Sequence, residues 1–410
     1  MFKRKDFIWN TAGTLFHAFN SLFFLIAVNR INGLSDAGIF SYGFAIANIF
    51  YIVAIYGGRN FQVTDVKNEI SPSSYVSFRL FSSFAAIVIA ILVVALNGYA
   101  LEKFLIILFL CAVKCVEAIS DVFHGIIQKG DRLHIVGKSF VFKNFVSLTV
   151  FMVVDLVFSN VLLTVISWLL INILFLIFYD IRQALNLEKI RIILGNQFSE
   201  ILRKCFFTCA FTTLSLFVIN IPRYFIDFNL NDEAQGVFGI VLMPATIIII
   251  LGQFITNPVL NDLAKSYHNN NVRGFVSLVS KLSLIVIGST LLVLVLAFFF
   301  GIPVLNSLFD ISLDAHRNHL LIIIVGAALY TIITIISVAL ITMRKTAIQL
   351  IMYAMMALFG LLVSMVLINA YQLAGGFYSY FLTMLFGVIC YVMAFLSYLK
   401  YSINKTVMKK

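Results

Sequence analysis

Apolar runs of roughly 20 residues recur along the whole chain, and each is long enough as a helix to cross a hydrocarbon layer of about 30 Å. They fall at about residues 7–29, 37–57, 75–97, 101–127, 139–158, 161–181, 206–228, 236–257, 275–300, 317–342, 347–369 and 376–399, which predicts twelve spans. Membrane-spanning strands would alternate apolar and polar residues over about ten positions. The runs Ile247–Leu251 and Leu291–Phe300 do not alternate. Helices are the remaining way for the backbone to satisfy its own N–H and C=O groups in lipid. Composition agrees: 61% of the 410 residues are hydrophobic and 11% are charged, whereas a soluble domain carries about 25% charged residues. No single core hides that much apolar surface, so lipid is the expected solvent.

The connections between spans alternate in charge. One set carries Lys3, Arg4 and Lys5; Arg59 and Lys67; Lys129, Arg132 and Lys138; the basic stretch from Arg182 to Lys204; Lys265 and Arg273; Arg344 and Lys345; and Lys405, Lys409 and Lys410. The other set has few cations (Arg30, Lys103, Arg317) and most of the acids, among them Asp36, Glu102, Asp232, Glu233, Asp310 and Asp314. Lys and Arg stay on the cytoplasmic side during insertion, so both termini are expected there, and an even count follows. The basic N-terminus leads into a polar-flecked run with no small-residue cleavage site, and reads as a retained first helix. The formal charge of +11 is then a topology signal facing an anionic leaflet. A nucleic-acid surface would gather these cations on one face, and here they are dispersed.

The chain also resembles itself. Gly38 and Phe40, at the start of span 2, recur 198 residues later as Gly236 and Phe238, and spans 2 and 8 are each followed by an aspartate, Asp65 and Asp262. This predicts two six-helix lobes, 1–184 and 206–410, joined by a cytoplasmic connector at 185–205. Six is even, so both lobes enter the membrane in the same direction, a parallel pseudo-two-fold repeat suited to a two-lobed transporter. Pro222, Pro244, Pro258 and Pro303 lie in the second half, and Pro72 alone lies in the first, in a predicted loop. Interior prolines kink helices, so the second lobe is expected to bend more, or to carry static kinks.

The polar residues inside the spans are the candidate site. Span 4 carries Lys114, Glu117, Asp121, His124 and Gln128, which fall within about 80° of one another on a helix. An ionisable group at mid-membrane costs about 2.5–3.5 kcal/mol on insertion scales, so it normally faces a partner or a wet cavity. Two readings stand: a self-satisfied lock within one lobe, with Lys114 and Glu117 paired at i, i+3, or a stripe lining a cavity whose cation meets an anionic substrate. Span 1 adds Asn10, Thr14, His17, Asn20 and Ser21. Span 7 adds Thr208, Thr212, Ser215 and Arg223, with Asp227 one turn on, and Arg30 ends span 1. Were Lys114, Arg223 and Arg30 to face inward, pyrophosphate or an acidic sugar would suit the cavity. The five cysteines, Cys111, Cys115, Cys205, Cys209 and Cys390, lack metal-site or disulfide spacing and read as small buried hydrophobes. No nucleophile elbow, P-loop or His-Glu-x-x-His motif is present, and no cofactor is expected.

Several of these segments together resemble a family. Asp36-Ala37-Gly38-Ile39-Phe40, the run from Gly58 and Arg59 to Asp65, Glu117 with Ser120, Asp121 and Gln128, Ile221-Pro222-Arg223-Tyr224, and Pro258 with Leu260 and Tyr267 are similar to bacterial Wzx-type polysaccharide-unit flippases. These belong to the multidrug/oligosaccharidyl-lipid/polysaccharide (MOP) superfamily. The resemblance implies an all-α, twelve-helix, two-lobed protein of the bacterial inner membrane. It would move an undecaprenyl-pyrophosphate-linked oligosaccharide, an O-antigen or capsule unit, between leaflets. A polysaccharide polymerase and a chain-length regulator are the implied protein partners. Carried over, Lys114 and Arg223 become the leading substrate contacts, followed by Arg30, His17 and Asn20. Glu117, Asp121 and His124 line or couple the cavity, and Arg59 and Asp65 hold the lobe or gate. The nearest alternative is a cation-coupled antiporter of the same superfamily, using Asp155 or Glu117. A membrane polymerase or acyltransferase is the alternative of another class, and its expected large external loops are missing.

Overall fold

The computed structural model describes residues 4–65, 69–193, 197–256, 259–269, 271–343 and 345–407. Lys3, Lys67, Pro258, Arg344, Lys409 and Lys410, which entered the reading of charge, kinks and resemblance, lie outside the described residues. Among the described residues all regular structure is helical. Eleven helical segments are long and apolar enough to cross a membrane, and the chain is a multi-pass membrane protein. The stretch expected as span 4 forms one unbroken helix, Leu101–Lys129, that also has the length. It differs from the eleven in carrying Lys114, Glu117 and Asp121 through its middle.

The chain divides into two compact units, Met1–Leu216 and Phe217–Lys410. In the first, α1 (Arg4–Asn32), α2 (Leu34–Ile55), the short α3 (Gly58–Thr64), α4 (Pro72–Leu96), α5 (Leu101–Lys129), α6 (Leu133–Phe158) and α7 (Val161–Phe175) follow one another with short turns. A π-helical turn at Leu176–Ile181 prolongs α7 into α8 (Arg182–Leu185). Pro72, expected in a loop, begins α4: its missing N–H costs nothing in a first turn, and the Ser71 side chain accepts from the Ser74 N–H as the cap. Gly33 turns α1 into α2 at φ 95°, a backbone state that favours glycine.

Helix α5 lies at the centre of this unit, packed against α2, α4, α7 and α3, while α1 packs along α6. Small residues permit the α1–α6 contact. A Cβ on Gly13 would run into the Gly137 carbonyl oxygen, and one on Gly137 into the Trp9 backbone. Phe24 anchors the apolar core, with ring centroids 4.3 Å from Phe151 and 4.4 Å from Trp168. Outward faces are apolar, as lipid contact requires: Phe84, Leu92, Leu156 and Phe158 are all more than half exposed.

Helix α9 (Gln197–Asn229) crosses from one unit to the other. Its first turns occupy residues expected in the connector. Their charges, Glu200, Arg203 and Lys204, suggested a loop, but Gln197 accepts from the Ser71 N–H and the Ser74 hydroxyl, and Phe198 packs 4.9 Å from Phe78. The second unit continues through α10 (Asp232–Thr256), α11 (Leu260–His268), α12 (Val272–Leu296), a π turn at Ala297–Gly301, α13 (Ile302–Phe309), α14 (Arg317–Thr342), α15 (Thr346–Tyr371) and α16 (Leu373–Val407). Buried Gln349 ties three helices here. It accepts from the Ser337 and Tyr391 hydroxyls at 2.9 and 2.7 Å and donates to the Ser337 carbonyl. All five cysteines are free and buried.

Candidate functional site

Ionisable side chains enter the interior unequally. Among the described residues, Asp6, Arg79, Lys114, Glu117, His124, Lys143, Asp155 and Asp180 are buried in the first unit, and Arg223 is the one buried charge of the second. Most converge on α5. Its polar residues recur at helical spacing, so one face meets α2 and α4 while another meets α6 and α7.

Lys114 donates to Glu117 Oε2 at 2.8 Å, one turn along α5, with both side chains under 10% exposed. The same ammonium sits 4.7 Å over the Phe44 ring and 5.8 Å over Tyr51, both on α2. Asp121 faces two guanidinium groups, Arg79 at 3.2 Å and Arg59 at 3.8 Å. Arg79 also donates to the Ala118 carbonyl at 2.7 Å. His124 Nε2 lies 3.0 Å from Asp180 Oδ1, so the ring carries a proton there, and Ser139 donates to the same oxygen at 2.6 Å. Asp180 belongs to the π turn after α7, a widened turn of a kind frequent at functional positions.

His17 and Asn20 of α1 meet at Asn144 of α6. Asn144 donates to the Phe140 carbonyl at 2.7 Å, which fixes its amide and leaves Oδ1 to accept from Asn20 Nδ2 at 3.1 Å and His17 Nδ1 at 3.3 Å. The His17 ring stacks on Phe140 at 5.0 Å, and Glu117, Lys114 and Lys143 all act on it electrostatically. With the histidines counted as uncharged, Lys114, Lys143, Arg79 and Arg59 face Glu117, Asp121 and Asp180. Four cations to three carboxylates leave the cluster net positive.

Asp65 sits apart, after α3. Its carboxylate accepts from the Glu69 and Ile70 N–H groups at 3.0 and 3.1 Å and from the Tyr75 hydroxyl at 3.3 Å, while Lys129 donates to its backbone carbonyl at 2.8 Å. Partial burial pushes this carboxyl up, but the two N–H groups, Lys129 and Tyr75 outweigh it and hold it below its ordinary value. Asp65 thus organises the turn into α4. Arg30 is exposed at the end of α1. Arg223 is buried in the second unit, its guanidinium 5.6 Å over Phe238 and its carbonyl accepting from Gln235 at 2.6 Å.

The residues that sequence reasoning passed over are Arg79, Lys143 and Asp180. Each lies near the end of a predicted span, where a charge reads as an interfacial anchor. The available signal was that Arg79 and Asp180 each have apolar or aromatic residues on both sides, and that Lys143 follows the apolar pair Val141 and Phe142.

No protein-family model matches the chain. It is 25% identical over 338 residues to a capsular polysaccharide biosynthesis protein, CapF, of Staphylococcus aureus, covering 80% of this chain and 83% of that protein. In structure it is similar to the lipid II flippase MurJ in an inward closed conformation, with a TM-score of 0.72, 14% identity, and coverage of 98% of this chain and 91% of that one. It is also similar to an inward-facing multidrug resistance transporter of the MATE family in the MOP superfamily, with a TM-score of 0.68, 15% identity, and coverage of 95% and 96%. The chain therefore has the fold of the transporters of the MOP superfamily.

Proposed function

We propose that the chain is a flippase that carries an undecaprenyl-pyrophosphate-linked oligosaccharide, a capsule or O-antigen unit, from the cytoplasmic to the periplasmic leaflet of a bacterial inner membrane by alternating access. The observation that carries this reading is the net-positive charge cluster around α5, with Lys114 held by a single carboxylate. Arg and Lys suit phosphate, and a cation that exchanges one anionic partner for another is a reversible phosphate contact. The capsule-related name of the Staphylococcus aureus relative and the lipid-linked cargo in the MurJ name support the same class.

In this reading α5 is the twelfth span, the lobes are residues 1–184 and 206–410, and both termini are cytoplasmic. The parallel repeat is supported by the starts of α2 and α10, at Leu34 and Asp232, the same 198 residues apart as Gly38 and Gly236, and by the burial of Phe40 and Phe238. Lys114 contacts the pyrophosphate, and Arg223, Arg30, His17 and Asn20 are candidate further contacts. Glu117, Asp121 and His124 couple the site to the lobe, and a polymerase and chain-length regulator act downstream.

One observation favours the cation-coupled antiporter. Asp155 is fully buried, and among the described residues its carboxylate accepts only from Asn32 at 2.7 Å and Thr164 at 3.1 Å, both uncharged. The deciding experiment deletes the gene and follows lipid-linked oligosaccharide and drug sensitivity together. A flippase leaves the oligosaccharide on the inner leaflet and drug sensitivity unchanged, and Lys114→Ala fails to complement. Drug sensitivity without accumulation, cured by the wild type but not by Asp155→Asn, assigns the antiporter instead.

A further inference from the structure

The interior of the first unit holds one cation that its contacts do not use. Lys143 on α6 is 2% exposed, and its ammonium makes no hydrogen bond or ion pair among the described residues. A buried ammonium without a partner is costly, so its presence asks for a reason. Its Nζ lies 5.7 Å over the Phe140 ring, the ring that stacks on His17 and takes His124 edge-on at 5.0 Å. Its neighbour Asn144 holds His17 and Asn20, and Ser139, one turn earlier, holds Asp180. Lys143 is thus placed among α1, α5 and the π turn, and Glu117, Asp180 and His17 all feel its charge.

Both carboxylates already have nearer partners. Asp180 has two, His124 and Ser139. Glu117 has one, Lys114. The remaining interior cations are committed, Arg79 to Asp121 and the Ala118 carbonyl, and Arg59 to Asp121. If an anion draws Lys114 away, Glu117 is the carboxylate left empty, and Lys143 is the cation with no bond to give up.

We propose that Lys143 is the reserve counter-ion of Glu117. When a phosphate group takes Lys114, the Lys143 ammonium moves from the Phe140 ring to Glu117, and no buried carboxylate is stranded. This rests on the reading of Lys114 as a phosphate contact. Lys143 is a positioning residue: it touches no substrate and sets how readily Lys114 is released.

The test measures inorganic pyrophosphate binding to the purified full-length protein in nanodiscs by titration calorimetry. Lys143→Met is expected to weaken binding about tenfold, because Lys114 stays locked on Glu117. Adding Glu117→Gln to Lys143→Met is expected to restore affinity to within about threefold of the wild type, since nothing then holds Lys114 back. Lys143→Arg keeps binding. An unchanged affinity in Lys143→Met overturns the proposal, and so does a loss that Glu117→Gln fails to restore, which makes Lys143 a direct ligand or a packing residue. Size-exclusion profiles and Lys143→Gln separate misfolding from lost affinity. A wild type that does not bind pyrophosphate, or a Lys114→Gln variant that binds as well, overturns the functional reading itself and the proposal with it.

Discussion

Replacing Lys114 by alanine removes the one ion-pair partner of Glu117 among the described residues. Breaking a buried pair from one side costs about 3–5 kcal/mol, because the other charge is left without compensation. The chemistry of the carboxyl sets a ceiling. An acid with an ordinary value near 4.3 can be held neutral at pH 7 for about 3.7 kcal/mol, so the electrostatic part of the loss stops there. The lost contact with the Phe44 ring, 4.7 Å from the ammonium, adds about 0.5–2 kcal/mol. A second substitution, Glu117→Gln, removes the stranded charge and is expected to return all but about 1–2 kcal/mol of this stability. Thermal unfolding of the two purified variants measures the restoration, and oligosaccharide export in a deletion strain measures function. The expected outcome is a split: Lys114→Ala with Glu117→Gln is stable and does not export. If the double variant exports normally, Lys114 is only a lock between neighbouring turns, and the phosphate reading falls. If it is no more stable than the single variant, the buried ion pair is not what holds this part of α5.

Two other changes follow from the same structure. Gly137→Leu places a side chain against the Trp9 and Asn10 backbone, which cannot yield as a side chain would; overpacking costs about 1–3 kcal/mol or more here, and loss of the monodisperse peak in size-exclusion chromatography reports it. Asp65 is held below its ordinary value of 3.8, so its contribution is complete above about pH 4 and fades as pH falls through its lowered folded value. Asp65→Asn should therefore accelerate protease cleavage of the turn into α4 at pH 7 and lose that difference under strong acid, whereas an unchanged cleavage rate at pH 7 removes Asp65 from that role.

Hydrophobic length was enough to locate eleven helices, because the lipid-facing surfaces of α4, α6 or α15 tolerate almost no charge. It located α5 as well, although that helix breaks the composition rule, since its charges recur at helical spacing on faces turned toward other helices. The start of α9 was not legible. Gln197 and Phe198 are ordinary loop residues until α4 offers Ser71, Ser74 and Phe78 as partners. The same limit applied to the site. The pair Lys114–Glu117 is local, one turn apart, and follows from spacing alone. The partners of Asp121 and His124 are not local: Arg79 is 42 residues away and Asp180 is 56. Spacing along one helix reveals which face is polar, but not which other helix supplies the counter-charge.

That distinction bears on how a single lobe can carry the chemistry. A stripe read from α5 alone has two carboxylates for one lysine, and suggests an acidic face. With α3, α4, α6 and the π turn in place, the balance reverses, because Arg59, Arg79 and Lys143 bring three cations against the single carboxylate of Asp180. Helix α5 is thus the acidic side of a positively charged interior. Five ions of that interior are tied in a pair, Lys114 with Glu117, and a triad, Arg59 and Arg79 with Asp121, and replacing such groups with apolar residues often stabilises a protein. Their retention inside a lipid-solvated bundle is most economically explained by charge that must change partners: Lys114 has one carboxylate to leave, and Lys143 makes no hydrogen bond or ion pair among the described residues.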